Sequence, residues 1–247
     1  MSDHNSTNTP RIFNPSPRTI IMVRHGETEG NLDDKSQGHF DAQLTERGRI
    51  QAEAVAERLS DTQFDAVYSS DLQRALDTAK AIVAHHPELQ IHTRSQLREY
   101  HFGDYEDKDW DSVGDADADL YKRWKNLNTR ASIKFPGGES MLDAWERVGR
   151  VVEEILTTHH KGNESLLVVG HGGSLQAVLA RLMNLRITDQ WSFVFNNTSV
   201  TVLHEHLYTP NGWRMIQFND TSHLNGIGFT DNRHVTARKP HHHRLHL

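Results

Sequence analysis

The chain has 247 residues, enough for one large or two small domains with a substantial core, and a formal net charge of −6 at pH 7. Its acidic residues are spread along its length, which argues against a nucleic-acid or anionic-membrane surface as the main partner. It holds no cysteine, so disulfides and thiolate chemistry are excluded and a reducing compartment is permitted.

Residues 1–17 are polar, lack the apolar core of a signal peptide, and read as a flexible N-terminal segment. No apolar run is long enough to span a bilayer, so a soluble, cytoplasmic protein is expected. Thr19-Ile20-Ile21-Met22-Val23 forms a first strand that leads straight into Arg24-His25-Gly26. A helix follows from Leu44-Thr45 to about Leu59, with Thr45 as its cap. Ala66-Val67-Tyr68 is a short strand, after which Ser69-Ser70-Asp71 caps a helix to Ala84 carrying Leu72, Leu76, Ala79 and Val83 at helical spacing. Residues 89–93 read as another strand, whose far end leads to Leu97-Arg98-Glu99-Tyr100-His101-Phe102-Gly103. Over 104–135 the strand alternation disappears, and an acidic, Trp- and Tyr-bearing stretch predicts short helices: a cap inserted in one domain spanning 18–224.

Pro136-Gly137-Gly138-Glu139-Ser140 is a turn that starts a long amphipathic helix with Leu142, Trp145, Val148, Val152, Ile155 and Leu156 on one face. Leu166-Leu167-Val168-Val169-Gly170 is a second histidine-bearing strand, leading into His171-Gly172-Gly173 and a helix over about 174–183. Residues 199–207 alternate and pair with 213–218 around Pro210-Asn211-Gly212 as an edge hairpin, and 225–247 reads as a poorly ordered, basic, His-rich tail. The order of elements predicts an α/β fold: a three-layer, mostly parallel sheet flanked by helices, with a small helical cap.

In such a sheet ligands bind outside the carboxyl ends of the strands, so His25 and His171 point into the natural site. Arg24 sets a cation beside a sterically open histidine, and Arg74 near the start of its helix can grip phosphate bidentately. Helix N-termini at Ser70 and Gly173 would aim backbone N–H groups at the same place. Phosphoryl transfer through histidine also needs a proton donor for the leaving oxygen. Glu99 is the candidate, beside aromatic residues that would desolvate its carboxyl; the same group then takes a proton from the water that attacks phosphohistidine.

These residues resemble the histidine phosphatase superfamily in its phosphoglycerate mutase-like branch, over about 18–207 with an echo in Asn219-Asp220-Thr221-Ser222-His223-Leu224. The hallmark is Arg24-His25-Gly26-Glu27-Thr28 with Asn31. Gln37-Gly38, Asp41 with Leu44-Thr45 and Gly48, Ser69-Ser70-Asp71-Leu72-Gln73-Arg74-Ala75 with Thr78, Leu97-Arg98-Glu99, Pro136-Gly137-Gly138-Glu139-Ser140 and Val169-Gly170-His171-Gly172-Gly173 support it. The resemblance implies a phosphohistidine on His25, phosphate binding by Arg24, Arg74 and His171 with help from Asn31, Glu99 as acid and base, and a substrate pocket lined by Thr28, Gln37 and Gly38. It implies no metal and no cofactor. The expected partner is a small phosphorylated metabolite, with neither nucleic acid nor membrane, and a homodimer is compatible with the sequence.

The branch contains mutases and phosphatases. Mutases place a basic residue after the acid and carry basic residues in a larger insertion. Here Tyr100 follows Glu99, and the cap sets Asp104, Glu106, Asp107, Asp109, Asp111, Asp115, Asp117 and Asp119 against Lys108, Lys122, Arg123, Lys125, Arg130 and Lys134. An acidic lid clamps a doubly phosphorylated cofactor poorly, and the motifs look more like the broad-specificity and ribazole-phosphate phosphatases, so hydrolysis is expected and phosphoglycerate mutase is the alternative. The acid phosphatase and phytase pattern is absent, as is a kinase P-loop. A regulator that binds phospho-ligands without turnover would be expected to lose His25, Arg74 or His171, and all are present.

Several residues also have simpler readings. Asp71 reads as a helix cap and Glu27 as a loop residue ordering its neighbours, while Trp110, Tyr121 and Trp124 either line a pocket or pack the cap. His85-His86 and His159-His160 fall at helix ends, where imidazolium suits the dipole. His204 and His206 share a strand face without a third ligand, and His241-His242-His243 with His246 belongs to the tail.

Overall fold

A computed structural model describes residues 17–126, 128–206, 208–209 and 212–228. The expectations for the N-terminal segment up to residue 16, for the turn at Pro210-Asn211 and for the tail beyond 228 lie outside them. In chain order the elements are β1 (Thr19–Arg24), α1 (Glu29–Leu32), β2 (Lys35–Ser36), α2 (Glu46–Leu59), β3 (Ala66–Ser69), α3 (Gln73–Val83), β4 (Ile91–Thr93), β5 (Lys108–Asp109), α4 (Trp110–Ala116), α5 (Ala118–Lys125), α6 (Met141–Thr158), β6 (Ser165–Gly170), α7 (Gly172–Leu182), β7 (Val200–Glu205) and β8 (Trp213–Asp220).

Six strands form one sheet in the order β4-β3-β6-β1-β7-β8. The first four are mutually parallel, and the β7–β8 hairpin runs antiparallel at one edge. Side-chain alternation divides β1 between two cores. Ile20 and Met22 pack with Val148, Val152, Ile155, Leu175 and Leu179 of α6 and α7. Ile21 and Val23 pack with Val55, Leu59, Ala75, Ala79 and Ile82 of α2 and α3. Because helices cover both faces, the central strands are apolar throughout, and the result is the expected three-layer α/β architecture.

Thr45 caps α2 by accepting from Gly48 N at 2.9 Å, as expected. Its hydroxyl also donates to the carboxylate of Glu27 at 3.0 Å, and Arg47 pairs with that same buried group, so Glu27 ties its loop to the start of α2. Ser140 opens α6 with a reciprocal capping box to Asp143.

Two local expectations change. Helix α3 begins at Gln73 rather than Ser70, and Asp71 is not its cap but a bidentate partner of Arg98 at 2.7 and 2.6 Å. Its buried stripe runs through Arg74, Ala75, Thr78, Ala79 and Ile82, leaving Leu76 and Val83 only half-buried, because Arg74 bonds His171 and Thr78 bonds Gly26 N at the sheet edge. On α6, Leu142 is exposed, since Met141 and Ala144 supply the first turn's contact with the cap. That contact belongs to a third cluster, in which Tyr100, Phe102, Tyr105, Val113, Leu120, Trp124, Ile133 and Phe135 pack together, with Trp191 against them. Trp124 therefore packs the cap: its ring meets Phe135 at 5.0 Å and Trp191 at 5.6 Å, both edge-on.

Candidate active site

Strands β1 and β6 are neighbours in parallel register, with Arg24 opposite Gly170, so the residue after each is a histidine at the same level. His25 N donates to Gly170 O at 3.0 Å, and the two imidazoles lie 5.1 Å apart. β3 flanks β6 on its other side and delivers Ser70, whose N–H bonds to Val169 O.

The bonding partners assign the tautomers. His25 Nδ1 lies 2.7 Å from Gly26 O, and a carbonyl only accepts, so Nδ1 carries the proton and Nε2 keeps its lone pair. Arg74 Nε donates to His171 Nδ1 at 3.2 Å, so His171 carries its proton on Nε2, which donates to the Ser70 hydroxyl at 2.8 Å. Burial, reinforced by Arg74 and Arg24, holds His25 well below the ordinary 6.5, and burial with Arg74, His25 and Arg24 does the same to His171. Both rings are neutral at pH 7, one with a free nucleophilic nitrogen and the other with a donor.

This arrangement has a pH signature. Below about pH 6.5 the unfolded chain binds protons that the two buried rings refuse, so their contribution is intact above pH 6.5 and lost as pH falls. The slope for the pair approaches about 3 kcal/mol per pH unit. Denaturant unfolding of the ligand-free protein from pH 7.5 to 5 is expected to show this decline, and His171→Gln to flatten it.

Arg24 and Arg74 are 9% and 1% exposed, and burial, partly offset by Glu99, lowers each to about 10. Arg24 donates from Nη1 to Phe195 O at 2.6 Å, while its Nε is buried without a partner, a donor that an anion would satisfy. Arg74 reaches Phe40 O and Gly38 O, each at 2.8 Å, as well as His171, so it ties the 38–40 loop to the histidine pair. Gly38 has φ +53°, and a β-carbon there would collide with Glu106. Asn31 Oδ1 accepts from Thr28 N at 3.1 Å and lies 3.0 Å from Thr28 Oγ1. Thr28 is fully buried and also donates to Gln37 Oε1 at 2.7 Å, so Thr28 and Gln37 hold one another behind the histidine turn.

Glu99 accepts two backbone N–H groups, Tyr100 N at 2.9 Å and Gly173 N at 3.0 Å. A β-carbon at Gly172 would lie 3.6 Å from Glu99 Oε2 and 3.9 Å from Arg24 Nε, so the carboxylate borders the anion-seeking guanidinium. The sequence placed Glu99 among desolvating aromatics; its carboxylate takes backbone donors, the Tyr100 ring lies beside it over Gly173, and the Tyr100 hydroxyl bonds Gln190 at 2.9 Å. Gly173 lies under both residues, and a β-carbon there would collide with the Glu99 carboxylate and the Tyr100 ring. Gly173→Ala is expected to cost about 10²-fold in kcat by displacing the carboxylate, measured as turnover of an alkyl phosphate.

Two expected anion donors are absent from the described geometry. The first N–H of α3, on Gln73, is taken by Asp41 Oδ1 at 2.7 Å, and Ser70 serves His171 through its hydroxyl rather than as a helix start. Gly173 N serves Glu99. Sequence reasoning missed Asn197, fully buried, whose Nδ2 donates to His25 O at 3.0 Å and Asn31 Oδ1 at 3.1 Å. With those donors on Oδ1, the amide nitrogen of Asn31 is left for an anion. The available signal was the polar run Asn196-Asn197-Thr198-Ser199 directly before β7, the strand beside β1. Among the described residues no three His, Asp or Glu side chains gather as a metal centre, and His204 and His206 belong to no such group.

The family model for the histidine phosphatase superfamily (branch 1) matches residues 20–221. Phosphoglycerate mutase-like protein 4 of Arabidopsis thaliana is 37% identical over 85% of this chain and 88% of its own length. The metal-independent phosphoserine phosphatase of the same plant is 32% identical over 85% and 84%. The crystal structure of the alpha-ribazole phosphatase from Shigella flexneri superposes with a TM-score of 0.74 at 28% identity, covering 82% of this chain and 96% of that one. On these matches the chain belongs to branch 1 of the histidine phosphatase superfamily.

Proposed function

We propose that this protein hydrolyses phosphate monoesters of small metabolites through a phosphohistidine on His25. The observation that carries the reading is the fixed tautomer of a neutral His25, whose Nε2 lone pair stands beside two buried guanidinium groups. Nε2 attacks phosphorus and the bond to the ester oxygen breaks. Arg24, Arg74 and the Asn31 amide neutralise charge on the phosphoryl oxygens, joined by the Nε2–H of His171 as it exchanges the Ser70 hydroxyl for the phosphate. Protonated Glu99 gives its proton to the departing alkoxide. Its carboxylate then takes a proton from water as that water attacks phosphorus, the P–N bond breaks, and inorganic phosphate leaves with His25 neutral again. Gly38, with Thr28 and Gln37 behind it, shapes the wall on the leaving-group side.

Hydrolysis is favoured over mutase chemistry by the local engagement of the cap's cations. Arg123 pairs with Asp119 and Lys134 with Asp143. Lys125 lies over Tyr121 at 3.9 Å, Arg130 over Trp191 at 5.1 Å, and Lys108 donates to Asp104 O. Each of these cations already has a local partner, which a second phosphate would have to displace. Relatives named for phosphoserine, glucosyl-3-phosphoglycerate and alpha-ribazole substrates support an alkyl phosphate as the substrate class.

The proposal also takes 18–224 as the catalytic domain with 104–135 as its cap, and a cytoplasmic location with neither nucleic-acid nor membrane partners. Among the described residues no helix is long and apolar enough to cross a membrane. The test is phosphate release from a monophosphate panel in EDTA, beside a coupled 3-phosphoglycerate to 2-phosphoglycerate assay with and without 2,3-bisphosphoglycerate. Release in EDTA is the expected result; isomerisation without release would make the protein a mutase. Sedimentation settles whether it is a homodimer.

A further inference from the structure

The loop that carries Glu99 is held from outside the site by one side chain of α6. Arg147 has five N–H donors, and every one is engaged. Nη1 donates to Gln96 O at 2.7 Å and Arg98 O at 3.1 Å, and Nη2 to Glu99 O at 3.1 Å and Glu139 Oε1 at 2.5 Å. Nε donates to Glu139 Oε2 at 3.1 Å. Glu139 Oε1 also accepts His101 N at 3.0 Å, so the ion pair grips the loop on both sides of Glu99. Both side chains are largely buried, at 16% and 14% exposure. His39 Nε2 adds a second donor to Glu99 O at 3.0 Å.

We propose that Arg147, paired with Glu139, is a positioning residue that sets the backbone of Glu99 so that its carboxylate meets the leaving oxygen. The inference rests on the acid–base reading of Glu99. The guanidinium touches neither anion-binding arginine nor either catalytic imidazole, and acts on the reaction through the loop alone. Its planar fork spans carbonyls of three residues while holding both carboxylate oxygens, a geometry that the single ammonium of lysine cannot reproduce. Arg147→Lys is therefore a sharp test despite keeping the charge.

The readout is kcat/KM, which reports the steps up to phosphoryl transfer to His25, for two substrates: an alkyl phosphate such as phosphoserine, whose alkoxide needs a proton, and p-nitrophenyl phosphate, whose phenolate leaves without one. Inhibition by inorganic phosphate monitors the anion pocket, and thermal melting monitors the fold. For Arg147→Lys, and for Glu139→Gln should the first variant fail to fold, kcat/KM for the alkyl phosphate is expected to fall by about 10²-fold. The aryl ester and phosphate inhibition are expected to stay within a few-fold. Glu99→Gln, run alongside, is expected to show the same selectivity more strongly. If Glu99→Gln discriminates between the substrates while both clamp variants behave like the parent, or lower both substrates equally, the positioning role is overturned and the acid–base reading stands. If Glu99→Gln itself does not discriminate, the acid–base reading fails and this inference falls with it.

Discussion

Replacement of His25 by alanine is expected to remove phosphate release from alkyl and aryl phosphomonoesters alike, by at least about 10⁴-fold. The other imidazole of the pair cannot take over. His171 lies 5.1 Å away, but its Nδ1 accepts from Arg74 and its Nε2 carries a proton directed at Ser70, so it has no free lone pair. The anion pocket should survive, because the arginines are anchored elsewhere: Arg24 on Phe195 O, Arg74 on Gly38 O and Phe40 O. Inorganic phosphate should thus still protect His25→Ala against thermal unfolding. Rapid quench of the parent enzyme with radiolabelled substrate should trap protein-bound phosphate that is labile in acid and stable in alkali, and the alanine variant should trap none. Turnover that persists in His25→Ala would move the nucleophile to another residue.

Glu99→Gln is expected to lower kcat/KM for an alkyl phosphate by about 10² to 10⁴-fold. Two causes add. The amide cannot donate or accept the reacting proton, and it also fits its cradle badly: Glu99 takes N–H donors on both oxygens, from Tyr100 and Gly173, and the NH₂ of glutamine must face one of them. Binding of inorganic phosphate should move the other way or not at all. The Glu99 charge acts on both Arg24 and Arg74, so removing it leaves the pocket more positive towards an anion. An unchanged rate on the alkyl phosphate would withdraw the acid–base role from Glu99.

The parts of this site that the sequence made legible share a cause. Strands announce themselves by apolar runs, helices by spacing and caps, and the two histidine turns follow their strands without a gap, so His25, His171, Thr45 and Ser140 could be placed by local rules. Arg74 and Glu99 could be named, but their partners could not. Local propensity also misplaced the start of α3: Ser70 looks like a cap, yet its hydroxyl is bound to a histidine 101 residues away, and Asp71 is drawn off by Arg98.

What the chain by itself determined is the inventory: a parallel α/β sheet with helices on both faces, two histidines and two arginines at strand and helix ends, and an acidic stretch over 104–135 expected to clamp a second phosphate poorly. Only the tertiary structure decided how the inventory is wired. The register of β1 on β6 brings the imidazoles to one level. Arg74 and Gly26 O set which nitrogen of each ring carries the proton, Asn197 turns the Asn31 amide, and Arg147 gathers the loop of Glu99. Tautomers, amide orientation and carboxylate position depend on which donor lies within about 3 Å of which acceptor. Most of these pairs are separated by tens of residues or more in the chain, so no local pattern encodes them, and packing alone brings them together.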